Sequence, residues 1–554
     1  MAELEQLELD VQGMTCDSCA LHVTKALESV AGVQNARVPG WESGRAQVTA
    51  DGDVAAEELA AAVQSAGYKA RVANRKPLQS ATQASGSPDG EYDLMVIGGG
   101  SAGFAAAIKG AELGQRVALV EAGTIGGTCV NVGCVPSKTL IRAMEQYHLA
   151  GSHPFRGVHT TAGHLSWSQV LDQKDKLVAD MRQSRYVDVL AAYPEVTYLQ
   201  GHARLTGGNG VEIDGQAYAP GTVVIATGAR PWAPPISGLA EAGYLTSTTA
   251  MDLRERPDSL VVLGANAVGL ELAQTFARAG TTVTLVELLP RIAPFEDEEI
   301  SEALTDYLQA EGMRIVTGVT TEHVERQGGR TYLTGRQGGN EVVLEAERLL
   351  VATGRRPNTT EMGLEEAGIR LGSRGELLVN DRLQTDNPAV YAAGDVLGKD
   401  MFVYVAAYGG TLAAENALTG AGRLYDTSAI PRVTFTDPQI ASAGLTEAQA
   451  ATEGYDVQVS MLPMAQVPRA LAAHDTRGLI KLVVDRETDR LLGAHVLAPE
   501  AGEIIQTAVL ALRFGLTTKQ LRETMFPYLT NVEGFKLAVL ALEKDVSLLS
   551  CCAG

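Results

Sequence analysis

Six cysteines fall into three close pairs: Cys16 and Cys19, Cys129 and Cys134, Cys551 and Cys552. A disulfide scaffold would scatter its thiols and a core would use them singly, so in a reducing compartment paired thiols point to metal binding or redox catalysis. Cys129 and Cys134 lie in GGTCVNVGCVPSK, Gly126 to Lys138, between a nucleotide-binding pattern and a following helix. Cys16 and Cys19 lie in GMTCDSC at the start of a helix, whose exposed N–H groups lower thiol pKa and favour thiolates that hold a soft cation. For that pair a thioredoxin-like βαβ context is missing, and a zinc site would need two further ligands. The chain ends in SCCAG, where vicinal Cys551 and Cys552 stand beyond the last helix on an end expected to be mobile. Adjacent soft thiolates suit a soft, two-coordinate cation.

The elements that position these thiols are written in an internal repeat. LMVIGGGSAGFAAAIKGAELGQRVALVE (94–121) recurs as LVVLGANAVGLELAQTFARAGTTVTLVE (260–287). Each copy reads as strand, glycine-rich turn, amphipathic helix and a second strand ending in glutamate. The first has a full GxGxxG at Gly98, Gly100 and Gly103, and Glu121 is placed to take a ribose hydroxyl. The second keeps Gly264, Gly269 and Glu287 but has Asn266 at the middle position, a departure expected to alter the approach of a pyrophosphate. Two copies imply two dinucleotides. VVIATGARP (223–231, with Thr227 and Gly228) and LLVATGRRPN (350–358) echo one another, and TDNPAVYAAGDV (385–396) places Asp395 after a buried strand.

Residues 1–73 read as strand, helix, two strands, helix and strand, from the alternation of Leu7, Leu9 and Val11 and the helical spacing of 20–30 and 54–66. The polar, Ser/Gly/Pro-rich 74–90 reads as a flexible linker with an r.m.s. span of about 20–25 Å. A length of 554 residues allows several domains, and a net charge of -21 disfavours nucleic acid and anionic lipid as partners. The acidic start and the lack of a long apolar run predict no signal peptide, no membrane insertion and a cytoplasmic protein.

GMTCxxC on a βαββαβ pattern resembles the heavy-metal-associated domains. The two glycine motifs, the ATG crossings, GGTCVNVGC and AAGDV together resemble the pyridine nucleotide-disulfide oxidoreductases. The resemblance implies an α/β fold: two Rossmann-like dinucleotide-binding domains plus an α+β dimerisation domain, preceded by a ferredoxin-like metal-binding domain. FAD is expected on 91–233 and 358–428, through Gly98, Gly100, Gly103, Glu121, Thr128, Thr227, Gly228 and Asp395. NAD(P)H is expected on 234–357 through Gly264, Gly269 and Glu287, and a homodimer through 429–554. Within the family, Cys129 and Cys134 form a redox-active disulfide that the flavin reduces, with Cys134 the thiolate against the flavin and Cys129 the exchange thiol.

Members acting on disulfides carry a His in an HPxxxxE motif near the C-terminus. Here the segment is FPYLTNVEGFKL, so Tyr528 takes the place of His while Glu533 stays. A phenol with an ordinary pKa of about 10 is a poor proton shuttle at neutral pH. With GMTCxxC and the SCCAG end, this resembles the branch of the family that reduces mercuric ion. That implies thiol-complexed Hg(II) as substrate, taken by Cys551 and Cys552 of the partner subunit, passed to Cys129 and Cys134 in an active site shared between subunits, and released as Hg(0). Tyr186 and Tyr528 match tyrosines beside the metal path, and Lys138 is expected to place positive charge near the flavin. The resemblance implies NADPH, while Glu287 leaves NADH open because a carboxylate suits a 2′-OH and repels a 2′-phosphate. The alternatives are a thioredoxin reductase-like enzyme, which would keep the His, and a non-enzymatic metal-binding protein, which would leave both glycine motifs unexplained.

Overall fold

Alternation of Leu7, Leu9 and Val11 sends one strand face inward, and in the computed structural model all three are buried on the strand Leu4–Gln12. The structure describes residues 4–14, 19, 23–24, 26–27, 29–38, 44–51, 54–77 and 92–548. Cys16, Cys551, Cys552 and the expected linker from residue 78 onward lie outside the described residues. The chain divides into an N-terminal unit, Met1–Ser87, and a main unit, Pro88–Gly554.

In the N-terminal unit the strands run in the spatial order Val33–Arg37, Arg45–Asp51, Leu4–Gln12 and Lys69–Pro77, all antiparallel. The helix Ala56–Ser65 buries Leu59 and Val63 against that sheet, and Val23 and Leu27, also helical, join the same core. The last strand continues through Pro77, so residues 74–77 are strand where composition reads linker. Leu4–Gln12 supplies the ladder that polar composition cannot reveal: Leu7 lies opposite Arg75, and Arg75 is ion-paired with Glu5.

The main unit is built on two parallel sheets. The first places Val390–Ala392, Thr222–Ile225, Leu94–Ile97, Val117–Glu121 and Val196–Gln200 side by side. The second has Arg314–Val316, Thr282–Val286, Ser259–Leu263 and Arg348–Val351. Such strands are covered on both faces, which is why they read as unbroken apolar runs. A five-stranded antiparallel sheet follows, containing Leu479–Asp485 and Arg490–Ala498 and packed by the helix Ala501–Arg513.

The sequence repeat is a geometric repeat. Gly98 and Gly264 both have positive φ, 112° and 102°, and a side chain on either would strike the carbonyl of Ala226 or Ala352. The glycine turns are thereby capped by the two ATG segments, which explains why both patterns are duplicated together. Gly103 and Gly269 let each helix press on its turn, since an added Cβ would lie 1.7 Å from Gly98 O and 1.9 Å from Gly264 O. The middle position differs: Gly100 (φ -79°, ψ -172°) and Asn266 (φ -105°, ψ -173°) share an extended conformation open to any residue. Asn266 therefore leaves the backbone of the second motif undisturbed.

Gly269→Ala is expected to destabilise the second sheet domain by about 1–3 kcal/mol through overpacking, seen as a lowered thermal unfolding midpoint by circular dichroism. Asn266→Gly is expected to move that midpoint little.

Candidate active site

Gly98, Gly100, Glu121, Thr128, Thr227 and Gly228 line one cavity of about 820 Å³. It opens at the N-terminus of the helix Ser101–Glu112, where free backbone N–H groups favour a pyrophosphate. Glu121 is braced there: its Oε2 accepts from Gly99 N at 2.7 Å and its Oε1 from Gly123 N at 2.6 Å. Thr227 Oγ1 donates to Asn358 O at 2.7 Å and Asn358 Nδ2 to Thr227 O at 2.9 Å, so the two echoed crossings pair directly as Ala229–Pro231 with Arg355–Pro357.

Arg355 is a part-buried cation that sequence reasoning did not single out. Its Nη2 donates to Thr128 Oγ1 at 3.3 Å and to Ala229 O, and its Nε lies 3.8 Å from Asp395 Oδ2. Burial pushes the Asp395 carboxyl up, opposed by the Arg355 charge. Arg355 Nε and Asn131 Oδ1 are buried with no hydrogen-bond partner among the described residues. Orphaned polar atoms beside a roomy, glycine-lined cradle fit a large polar ligand such as FAD. The repeat gave no signal for Arg355, since the first crossing reads ATGAR and the second ATGRR and Ala229 stands at its position.

Cys129 and Cys134 are free thiols here, the reduced form of the expected disulfide, and both are part-buried. Cys129 lies in the short helix Gly127–Val132 and Cys134 begins the long helix Cys134–Ser152, with Gly133 between them. Gly126 and Gly127 have positive φ, 95° and 59°, and a Cβ on Gly127 would stand 2.6 Å from Gly100 Cα. The dithiol segment is thus pressed against the first glycine turn. The Cys129 thiol hydrogen-bonds the Cys134 sulfur, and this is the largest cause bringing Cys134 down to about 7; burial opposes it and Lys138 adds to it. The same bond, with burial, pushes Cys129 up. The geometry therefore favours Cys134 as the thiolate and Cys129 as its donor.

Lys138 stands one helical turn beyond Cys134, and its Nζ meets Glu271 Oε2 at 2.7 Å. The other Glu271 oxygen accepts from Phe435 N at 2.9 Å, and Lys138 Nζ lies 4.6 Å from the Phe435 ring centroid. Glu271 was also missed; its signal is a lone acid among the apolar residues of GLELAQ. Tyr186 lies in a π-helical turn, Gln183–Val187, with its ring edge-on to Phe104 at 4.8 Å. Burial is the largest cause raising its hydroxyl, Ser101 hydrogen-bonds it, and Cys129 and Cys134 add to the rise; a Cβ on Gly126, three residues before Cys129, would stand 3.4 Å from its ring. Tyr528 is 51% exposed on the C-terminal domain, where Leu529 N donates to Glu533 Oε2 at 3.0 Å. Cys19 is part-buried in the N-terminal unit.

In the second motif Glu287 is buried. Its Oε2 accepts from Ala265 N at 2.8 Å and its Oε1 from Leu289 N at 2.9 Å. Among the described residues no helix is long and apolar enough to cross a membrane.

Residues 92–410 match the family model described as pyridine nucleotide-disulphide oxidoreductase, 430–539 that family's dimerisation domain, and 8–69 the heavy-metal-associated domain. The mercuric reductase of Staphylococcus aureus is 45% identical over 99% of this chain and 99% of its own. That of Bacillus cereus is 45% identical over 100% of this chain and 88% of its own. Among solved structures, the HOCl-induced flavoprotein disulfide reductase RclA of Escherichia coli, as a Cu(II) complex, gives a TM-score of 0.74 at 30% identity, covering 82% of this chain and 100% of that one. LpdA of Mycobacterium tuberculosis gives 0.73 at 27% identity, covering 81% and 100%.

Cys129→Ala removes the donor to Cys134 and is expected to raise the apparent pKa of Cys134 above its value of about 7. The check is the pH profile of iodoacetamide modification at Cys134 in reduced protein, followed by peptide mass spectrometry.

Proposed function

Since the chain belongs to the mercuric reductases of the pyridine nucleotide-disulphide oxidoreductase family, we propose that it detoxifies mercury by reducing Hg(II) at the Cys129/Cys134 pair. It is an NAD(P)H-dependent flavin oxidoreductase. The net reaction balances as NAD(P)H plus Hg(II) giving NAD(P)⁺, a proton and Hg(0). The observation that carries the reading is a thiolate-poised Cys134, donor-bonded by Cys129 and backed by Lys138.

Gly98, Gly100, Gly103, Glu121, Thr128, Thr227, Gly228 and Asp395 would hold FAD, with Arg355 completing the cradle. Gly264, Gly269 and Glu287 would hold the nicotinamide coenzyme. Bound there, FAD would supply two-electron exchange between the nicotinamide and the dithiol side of the site.

The residues of the chain handle the metal. Cys16 and Cys19 capture thiol-bound Hg(II) on the N-terminal unit. In a homodimer assembled through the C-terminal domain, Cys551 and Cys552 of the partner subunit displace the carrier thiols. Cys129 and Cys134 then take the ion, each exchange forming one Hg–S bond as another breaks. Soft thiolates in a two-coordinate arrangement suit this transfer. No leaving thiolate has to be protonated in step with bond formation, so Tyr528 can stand where a disulfide reductase needs His. Tyr186 and Tyr528 flank the path, Tyr186 as a phenol that burial keeps protonated. Lys138 holds positive charge near the reacting sulfurs, and a cytoplasmic location gives access to the coenzyme pool.

The test is Hg(II)-dependent NAD(P)H oxidation with excess thiol, together with loss of volatile mercury. Cys134→Ala is expected to lower turnover by about 100-fold or more, equivalent to about 2.7 kcal/mol of lost transition-state stabilisation. Cys551→Ala with Cys552→Ala is expected to lower turnover on thiol-bound Hg(II) while coenzyme still reduces the flavin. Unchanged turnover in that double variant would refute the relay.

A further inference from the structure

The two glycine motifs brace their terminal acids in the same way. Glu121 accepts from Gly99 N in its glycine turn and from Gly123 N two residues on. Glu287 accepts from Ala265 N in its turn and from Leu289 N two residues on. The turns share their positive-φ glycine and their glycine under the helix. In each carboxylate the backbone takes one acceptor site per oxygen, which leaves further acceptor capacity for a ligand able to donate. FAD, the dinucleotide of the first motif, carries an unphosphorylated adenosine ribose whose hydroxyls donate. A 2′-phosphate is mostly a dianion at neutral pH and has acceptors only.

The surroundings of Glu287 offer such a phosphate little in exchange. Leu288 and Leu289, the next two residues, are 60% and 39% exposed apolar side chains where a phosphate site would use cationic or hydroxyl donors. Arg291 is the cation nearest in sequence, and it is turned into its own loop. Its Nη2 donates to Pro294 O at 3.3 Å and to Glu296 O at 3.0 Å, and its Nε is buried. The backbone bonds at both oxygens also keep Glu287 from swinging aside: Glu287 N donates to Val316 O and Val319 N to Glu287 O, which fixes the residue between two strands.

We propose that the second glycine motif selects NADH over NADPH, with the braced Glu287 as the residue that sets the choice. This rests on the reading of that motif as the NAD(P)H site and narrows it to one coenzyme. The discrimination follows from an acceptor meeting a donor in one case and an anion in the other, a contrast worth far more than a simple change of size.

The experiment is anaerobic stopped-flow reduction of the flavin by each coenzyme in the full-length holoenzyme, without Hg(II). The second-order rate constant for NADH is expected to exceed that for NADPH by at least about tenfold. Glu287→Gln, which keeps an acceptor but removes the charge, is expected to narrow the ratio, and Leu288→Arg added to it to narrow it further. An equal or faster reaction with NADPH overturns the proposal, as does an unchanged ratio in Glu287→Gln. If that variant fails to fold, competition in the native holoenzyme decides: ADP-ribose must inhibit flavin reduction more tightly than its 2′-phosphate, and equal inhibition overturns the proposal. Reduction by neither coenzyme overturns it together with the assignment of the motif. Reduction by NADH without Hg(II)-dependent turnover supports the coenzyme choice and refutes the mercuric chemistry instead.

Discussion

The ion pair between Lys138 and Glu271 is the contact on which the arrangement of the active site depends. It joins the helix that starts at Cys134 to the helix Ala267–Arg278 of the second glycine motif, and Glu271 also receives the N–H of Phe435 from the C-terminal domain. Three parts of the main unit therefore meet at one carboxylate. The Glu271 side chain is 6% exposed and Lys138 32%, so the anion is the more costly member to leave alone. Breaking a fully buried pair costs about 3–5 kcal/mol, and the partial exposure of Lys138 lowers that figure. The pair also has an electrostatic consequence at the sulfur. Glu271 alone would push Cys134 up, and Lys138 pulls it down, so the cation both retains the acid and keeps the thiolate accessible near neutral pH.

A second constraint acts through backbone approach. Gly127 lies so close to Gly100 that neither the dithiol segment nor the first glycine turn can shift independently. The turn is held from the other side by Ala226, under the ATG crossing, and that crossing is hydrogen-bonded to its echo through Thr227 and Asn358. Cofactor cradle, dithiol and the passage between the two sheet domains thus form one packed assembly. Arg355 ties it further, reaching Thr128 beside Cys129 and lying 3.8 Å from Asp395.

What could be read in advance follows from where the physics is local. Gly98, Gly103, Gly264 and Gly269 were legible because positive φ and helix-on-turn contact leave a residue-type signature within a dozen positions. Asn266 departs from the motif without disturbing the backbone, because the middle position is extended; the other use of a glycine there, close approach of a pyrophosphate, is one that backbone conformation does not bear on. Glu271 and Arg355 could not be assigned partners from sequence. Lys138 and Glu271 are far apart in the chain, and only the packing of two helices from different sheet domains brings them together. The π-helical turn that carries Tyr186 had no compositional sign, and residues 74–77 took strand structure from a partner at the other end of the domain.

The substitution of Tyr528 for histidine makes sense only in combination with the dithiol. A substrate disulfide must be cleaved by a thiolate while its leaving sulfur is protonated, which requires a group that changes charge near pH 7. Ordinary phenols do not, and Tyr186 is raised further by burial and by the sulfurs themselves. Such phenols stay protonated and can donate to a sulfur without exchanging protons with it. A soft cation moving between thiolates needs just that environment: acceptor sulfurs at low pKa, donors that do not titrate, and a fixed positive charge from Lys138 offsetting the electron-rich pair. Cys134 at about 7, a protonated Tyr186 and the Lys138–Glu271 pair together favour metal exchange over acid–base cleavage of a disulfide.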